Sequence, residues 1–125
     1  MADITFSGRE LDIMSILWVR GSGTVAEIRD ELEDDIGYTS VLKVLQIMEE
    51  KGHVRHEAEG RRYRYIPVVP AEVAGRTAVR RVMDRIFRGS AELMLARMVM
   101  DVPITREQRD RMRRILDELE TEDEA

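Results

Sequence analysis

The sequence predicts a mainly α-helical protein with a small β-hairpin, arranged as a winged helix-turn-helix domain followed by a helical dimerisation domain. Three short segments with helical spacing of apolar residues occupy the first part of the chain. Two alternating segments, residues 54–58 and 63–66, flank a turn over residues 59–62 and predict the hairpin. Three further helical segments make up the rest. We therefore place the first domain at residues 1–69 and the second at residues 70–125.

Capping boxes mark the start of the first two helices. Ser7 and Glu10 have the spacing at which each side chain accepts a hydrogen bond from the backbone amide of the other residue. Thr24 and Glu27 repeat that spacing. The apolar residues expected to face inward are Leu11, Met14, Leu17 and Trp18 in the first helix, and Val25, Ile28 and Leu32 in the second.

The third predicted helix has one apolar face and one polar face. We expect Thr39 or Ser40 to cap its start and Gly52 to end it as the C′ residue. Its inward-facing residues are expected to be Val41, Val44, Leu45 and Met48. Its opposite face is expected to present Thr39, Ser40, Lys43 and Gln46, with Leu42 exposed beside them.

The hairpin is expected to turn at Glu59-Gly60 and to carry Arg61 and Arg62 at its tip. Tyr63 and Tyr65 alternate with arginines on the return strand and are expected to pack inward. The chain has a net charge of −5, but residues 60–88 contain eight arginines and only two carboxylates. Because phosphates attract such a region, the hairpin and the third helix together indicate DNA binding.

Each polar residue of the third helix has a DNA group that it suits. Gln46 is suited to adenine N6 and N7, Lys43 to guanine O6 and N7, and Leu42 to a thymine methyl group. Thr39 and Ser40 lie at the helix N-terminus, where a phosphate is favoured. We expect Arg61 and Arg62 to bind the DNA backbone and to add affinity. The arginines of the helix after the hairpin are interpreted as ordinary solvent-exposed residues.

The second domain is expected to dimerise, because its helices have wide apolar stripes and are too short to bury them alone. Pro70 suits the first turn of its first helix, Gly89-Ser90 ends that helix, and Thr105 opens the last one. A two-fold dimer covers such stripes with their own copies; the alternative is that they fold back onto the first domain. The expected interface residues are Val82, Ile86, Phe87, Met112, Ile115, Leu116 and Leu119. The acidic tail, residues 120–125, is expected to be frayed.

Composition excludes several classes of protein. The chain has no cysteine, so disulfides, thiolate metal sites and a cysteine nucleophile are excluded. No apolar run approaches the roughly 20 residues that cross a bilayer, so we expect a cytoplasmic protein without membrane insertion. The two histidines, His53 and His56, are three residues apart on a strand and would point to opposite faces. We expect no active site, no metal and no cofactor, and we expect His53 to be at the surface or half-buried.

The sequence resembles the penicillinase-repressor family of the BlaI/MecI/CopY type over nearly its whole length. The resemblance is carried by YTSVLKVLQIMEEKG from Tyr38, by Val54-Arg55 and EGRRYRY from Glu59, by ELDIMSILW from Glu10, and by FRGS from Phe87. It implies a homodimeric repressor on a palindromic operator, relieved when a partner metalloprotease sensor system of the membrane cleaves the dimerisation domain. By position, the cleavable stretch falls near Arg97-Met98. The family's metal-responsive branch uses C-terminal cysteines, which this chain does not have.

Two alternatives remain open from the sequence. One is a winged-helix module that binds protein, which suits the acidic net charge but gives no role to Arg61 and Arg62. The other is a repressor relieved by direct ligand binding, with Met94, Met98 and Met100 lining the pocket. Methionines at this spacing are also typical of plain core.

Overall fold

The computed structural model describes residues 4–124, and the side chains of residues 4–119 among them. In chain order the elements are α1 (Gly8–Arg20), β1 (Gly23–Thr24), α2 (Val25–Glu31), α3 (Tyr38–Glu50), β2 (Val54–Glu59), β3 (Arg62–Pro67), α4 (Ala71–Arg85), α5 (Ala91–Asp101) and α6 (Arg106–Glu124). The predicted fold class, helical with a hairpin wing, is confirmed. The chain divides into two compact units, one ending at Arg80 and the other beginning at Arg81. The functional boundary between residues 69 and 70 stays a prediction.

Both N-terminal capping boxes are confirmed. The Ser7 amide donates to Glu10 Oε1 at 2.7 Å, and the Glu10 amide donates to Ser7 Oγ at 3.2 Å. The Thr24 amide donates to Glu27 Oε1 at 2.9 Å, and the Glu27 amide donates to Thr24 Oγ1 at 3.2 Å. These reciprocal bonds satisfy amides that have no partner inside the helix, so they define where α1 and α2 begin.

The buried stripe of α1 differs from the predicted one by one position. Leu11, expected inside, is exposed, whereas Ile13 is fully buried. The buried residues of α1 are Glu10, Ile13, Met14 and Leu17. A carboxylate occupies the first inward position because the capping box and an ion pair satisfy it there. That arrangement rotates the apolar face away from Leu11.

The first unit contains a three-stranded antiparallel sheet rather than a hairpin alone. The strand order is β1-β3-β2, and the short β1 pairs Gly23 with Tyr65 and Thr24 with Arg64. A Cβ at Gly23 would lie 3.0 Å from Cγ1 of Ile28, so a larger residue there would require the Ile28 side chain to shift. The sequence did not predict β1, since two residues are too few to show an alternating pattern.

The core of the first unit is built mainly by α1, α2 and α3. Val41, Leu45 and Met48 of α3 are fully buried against α1 and α2, as predicted. Val25 and Ile28 are also buried, while Val44, Leu32 and Trp18 are half-buried at its edge. The indole N–H of Trp18 donates to the Val69 carbonyl at 2.8 Å. The three helices therefore form the rigid support on which α3 and the sheet are held.

The second unit contains the end of α4, then α5 and α6. α4 ends at Arg85, four residues before the predicted break at Gly89-Ser90. A turn follows in which Arg88 and Gly89 have φ values of 52° and 80°. Ser90 Oγ accepts from the Leu93 amide at 3.1 Å and caps α5. Thr105 and Gln108 form reciprocal bonds of 2.9 and 3.1 Å at the start of α6, as predicted. In residues 4–124, no helix is long and apolar enough to cross a membrane.

Candidate nucleic-acid interface

The N-terminus of α3 has free polar groups. The helix begins at Tyr38 with Gly37 as its N-cap, and no side chain caps it. The prediction that Thr39 or Ser40 caps α3 is therefore wrong, because the helix starts earlier and both residues lie inside its first turn. Both are exposed, and neither hydroxyl has a hydrogen bond to another described residue. The backbone amides of this turn and the helix dipole together favour an anion here.

The C-terminus of α3 is held firmly. Gly52 has φ 81°, its amide donates to the Glu49 carbonyl at 3.0 Å, and the His53 amide donates to the Met48 carbonyl at 2.9 Å. This pair of bonds is a Schellman motif, and it confirms Gly52 as the C′ residue. The chain then enters β2, so α3 and the hairpin are joined by a short, fully bonded connection.

An ion pair fixes α3 to α1. Lys51 Nζ donates to Glu10 Oε2 at 2.9 Å, and the Glu10 side chain is almost fully buried. Burial alone would raise the pKa of Glu10, but hydrogen bonds from the Ser7 amide and from Lys51 outweigh it and lower the pKa. The carboxylate therefore stays ionised and locks the end of α3 against the start of α1.

The outer face of α3 consists of exposed side chains that are not used inside the protomer. Its members are Thr39, Ser40, Lys43, Gln46, Ile47 and Glu50. Within the described residues, Lys43 has no ion pair and Gln46 has no hydrogen bond. Steps of about 100° per residue place Thr39, Lys43 and Glu50 opposite the buried side of the helix. Ser40, Gln46 and Ile47 flank them. We call this surface the outer face of α3; it is available to contact a binding partner.

Leu42 does not lie on the outer face in the way the sequence suggested. We expected it to be exposed, but it is half-buried and packs against the core. The exposed apolar residue of the face is Ile47, which sequence reasoning missed. The signal was present, because Ile47 lies four residues after Lys43 and one after Gln46 in the same helix.

The hairpin tip is tighter than predicted. Glu59 pairs with Arg62 in the strand register, so the turn itself is Gly60-Arg61 and not Glu59-Gly60. Gly60 adopts φ 64°, a value that glycine accepts without strain. Arg61 is at the turn and Arg62 is the first residue of β3; both are exposed. Neither has an ion-pair partner among the described side chains, so both charges face solvent.

Arg64, on the same strand, is used internally. Its guanidinium donates to Glu59 Oε2 at 3.0 Å and to Ser22 Oγ at 3.2 Å, and lies 3.2 Å from Glu27 Oε1. Two carboxylates thus neutralise Arg64 and connect β3 to the start of α2. The contrast with Arg61 and Arg62 separates arginines that support the wing from arginines that are available to a ligand.

A histidine connects the wing to α3. His56 Nδ1 lies 2.7 Å from Glu49 Oε1, and its ring centroid is 4.5 Å from that of Tyr63. Tyr65 is buried as predicted, but Tyr63 is 53% exposed, so its inward packing was wrongly predicted. Both tyrosines share one face of β3, and the hairpin projects past the core before it reaches Tyr63. His56 covers one side of that ring instead.

The other histidine is buried, contrary to expectation. His53 is 6% exposed, packs 4.6 Å from the Phe6 ring, and has no hydrogen-bond partner at Nε2 within the described chain. Its backbone turns directly from α3 into β2, which draws the side chain inward. Among residues 4–124, no group of three or more His, Cys, Asp or Glu residues is placed to hold a metal ion.

The residues predicted to form a dimer interface lie on exposed helix faces of the second unit or of α4. Val82, Ile86, Ile115, Leu116 and Leu119 are exposed. Phe87 and Met112 are half-buried. Two shallow apolar grooves flank α6, and both are lined by Ile104 and Met112.

Comparisons with known proteins give one match over most of the chain. The family model described as "Penicillinase repressor" matches residues 6–118. A solved structure titled "CopR Repressor Structure" is 26% identical, with a TM-score of 0.45. The match covers 53% of this chain and 99% of that one. No curated protein sequence matches.

Proposed function

This chain belongs to the penicillinase repressor family and is a DNA-binding transcriptional repressor, and from that premise we propose that it acts as a homodimer on a palindromic operator. One observation carries the proposal: the outer face of α3 and the arginine tip of the wing are exposed together and unused inside the protomer. A helix with such a face, followed by a basic hairpin, suits a major groove and its adjoining backbone.

In the proposed complex, α3 lies in the major groove and its N-terminus meets a phosphate. The Thr39 and Ser40 hydroxyls donate to that phosphate, which the uncapped helix end also attracts. Lys43 donates to guanine O6 or N7, and Gln46 pairs with adenine N6 and N7. The Schellman motif and the Lys51–Glu10 ion pair hold α3 in place before DNA arrives, so little ordering is needed on binding.

The wing supplies affinity rather than sequence recognition. Arg61, in the two-residue turn, and Arg62, the first residue of β3, are exposed and have no ion-pair partner among the described side chains. Phosphate contacts of this kind release counterions, so they strengthen binding to every sequence and make it depend on salt. The His56–Glu49 contact ties the base of the wing to α3, and the two DNA-binding elements therefore approach the duplex as one body.

Dimerisation accounts for the apolar faces after Arg80. Ile115, Leu116 and Leu119 line one exposed face of α6. Val82, near the end of α4, and Ile86, in the turn that follows it, are exposed as well. Covering such faces with a second copy removes them from water and sets two α3 helices on one duplex. Half-sites would then recur about one helical turn, roughly 34 Å, apart.

Relief of repression is proposed to follow cleavage of the dimerisation domain by a metalloprotease partner. The position inferred for the cleavable stretch, Arg97-Met98, lies inside α5, and both side chains are exposed. Cutting there would divide α5 and release its second half together with α6, which carries the apolar face that the dimer needs. Incubation with the cognate protease and mass mapping of the products test this step; a chain that stays intact contradicts it.

The testing experiment is selection of the purified protein against random duplex DNA near physiological salt, read by sequencing. A two-fold palindrome with half-sites about one helical turn apart is expected. The Arg61→Ala/Arg62→Ala variant should bind the selected site more weakly, with a salt slope reduced by about two. Arg64→Ala is not a suitable comparison, because it breaks internal ion pairs. Arg97→Ala, outside the proposed DNA face, is the control and should keep the slope. Its one described ion pair, with Asp101 at 3.4 Å, is exposed and lies within a single helix.

An unstructured, sequence-indifferent pool contradicts the operator proposal. In that case the winged-helix module that binds protein becomes the better hypothesis. If a specific sequence is selected but the Arg61→Ala/Arg62→Ala variant has the original salt slope, the operator proposal stands. Only the proposed role of the wing is then contradicted.

A further inference from the structure

Ile47 is the exposed apolar residue of the outer face of α3. It is 40% exposed, whereas Val41, Leu45 and Met48 are fully buried in the same helix. Apart from Tyr38 at the helix start, the other apolar residues of α3 are buried or pack against the core. Ile47 therefore stands alone as a hydrocarbon side chain among Lys43, Gln46 and Glu50.

Packing within the protomer gives no account of this residue. Ile47 belongs neither to the buried core of the first unit nor to the half-buried residues around it. A β-branched side chain at an exposed helix position is also less favourable for helix formation than Lys, Gln or Glu. Ile47 is thus a hydrocarbon side chain that the core of the first unit does not use.

The neighbours of Ile47 define what it meets when α3 is in a groove. It lies four residues beyond Lys43, about 6 Å along the helix axis, which corresponds to a base pair one or two steps away. Glu50 follows it on the same face and has no described ion-pair partner, so a phosphate is disfavoured at this end. The DNA group that Ile47 can contact is therefore the edge of a base.

We propose that Ile47 contacts the C5-methyl group of a thymine and sets the preference of the repressor at that position. The thymine methyl is the apolar group that the major groove edge displays, and aliphatic side chains recognise it by contact. The contact assigned to Leu42 from the sequence passes to Ile47, because Leu42 packs against the core. This inference rests on the proposed operator binding and adds a specificity-determining residue to it.

The test is a double-mutant cycle between Ile47→Ala and thymine-to-uracil replacement, which removes only the methyl group. Each thymine in the selected half-site is replaced singly, and binding is measured by fluorescence anisotropy. At one position, the replacement should weaken binding of the original protein about three- to fivefold, a size set by the transfer of one methyl group. Ile47→Ala should bind the thymine and uracil forms of that position equally well.

The matched control is Val19→Ala, which shortens a β-branched residue on α1 that is 88% exposed and outside the proposed interface. It should keep the full thymine preference. Urea unfolding of both variants should show one cooperative transition, which establishes that each variant is folded before its DNA binding is compared.

Two results overturn the inference while leaving the repressor intact. One is a selected half-site whose binding is indifferent to every thymine methyl, or which contains no thymine. The other is Ile47→Ala retaining the original preference at each position. A protein that selects no sequence at all refutes the proposed function together with this inference, so the two failures are distinguishable.

Discussion

The two units of the chain use the same kind of amphipathic helix with opposite results. In the unit that ends at Arg80, Ile13, Leu17 and Leu45 are fully buried. In the unit that begins at Arg81, no side chain through residue 119 is buried, and Ile115 is 59% exposed. Helical spacing of apolar residues is equally clear in both. The spacing thus identifies the apolar face of a helix but not what covers it.

This difference has a thermodynamic meaning. The first unit removes its apolar surface from water by itself, which is the main favourable term in folding. The second unit leaves much of its apolar surface exposed. In the proposed dimer this surface would be buried, so the stability of the second unit would depend on protein concentration.

Shortening one residue in each unit gives the largest contrast. Leu45→Ala removes a fully buried side chain and should lower the free energy of unfolding by about 3 kcal/mol, through lost burial and the cavity left behind. Ile115→Ala at micromolar or lower concentration should change the unfolding of the first unit by less than about 0.5 kcal/mol. Urea titration followed by circular dichroism measures both. Equal losses would show that the two units share one core.

A charge on the apolar face of α6 separates association from folding. Ile115→Asp should weaken self-association about 30-fold, roughly 2 kcal/mol, because a carboxylate would have to be desolvated in an apolar interface. Val19→Asp places the same group on an exposed site of the first unit and should leave association unchanged. Sedimentation equilibrium gives both constants. If Ile115→Asp associates like the original protein, the α6 face is not the interface.

The smallest expected effect is the contribution of Glu10 to the pH dependence of the free energy of unfolding. Because the pKa of Glu10 is lowered on folding from its ordinary value of 4.5, its ionised form stabilises the first unit above that pH. The stabilisation is lost as pH falls through the folded pKa. Glu10→Gln should cost about 1 kcal/mol near pH 7, and its unfolding free energy should fall less steeply below about pH 5. Glu27 and Asp34, whose pKa values are also lowered, remain in both proteins, so the difference isolates Glu10.

Local signals in the sequence predicted the framework of the molecule well. The boxes at Ser7, Thr24 and Thr105 all begin helices, and Gly52 ends α3 in the conformation expected of it. These features depend only on residues three or four apart, and for that reason a pattern in the chain is enough to find them. The helical order and the hairpin followed from the same short-range chemistry.

The misplaced residues depend on contacts between distant parts of the chain. Glu10 displaces Leu11 from the inward stripe because Lys51, 41 residues later, meets its carboxylate. Tyr63 is exposed because the hairpin extends beyond the core at that position. Leu42, predicted to be exposed, packs against the core, and Ile47 is the exposed apolar residue in its place. The polar residues of α3 did not show which flank of the helix the core covers. Alternation and helical spacing carry no information on such partners.

Trp18 gives the first unit a spectroscopic label of its own. It is the single tryptophan of the chain, it is half-buried, and its indole N–H donates to the Val69 carbonyl just before α4 begins. The ring of Phe6 lies edge-on to it, with centroids 6.2 Å apart. Tryptophan emission from the unmodified protein therefore reports the environment between α1 and the end of the sheet. A shift in the wavelength of that emission therefore marks loosening of the contact between α1 and the segment before α4.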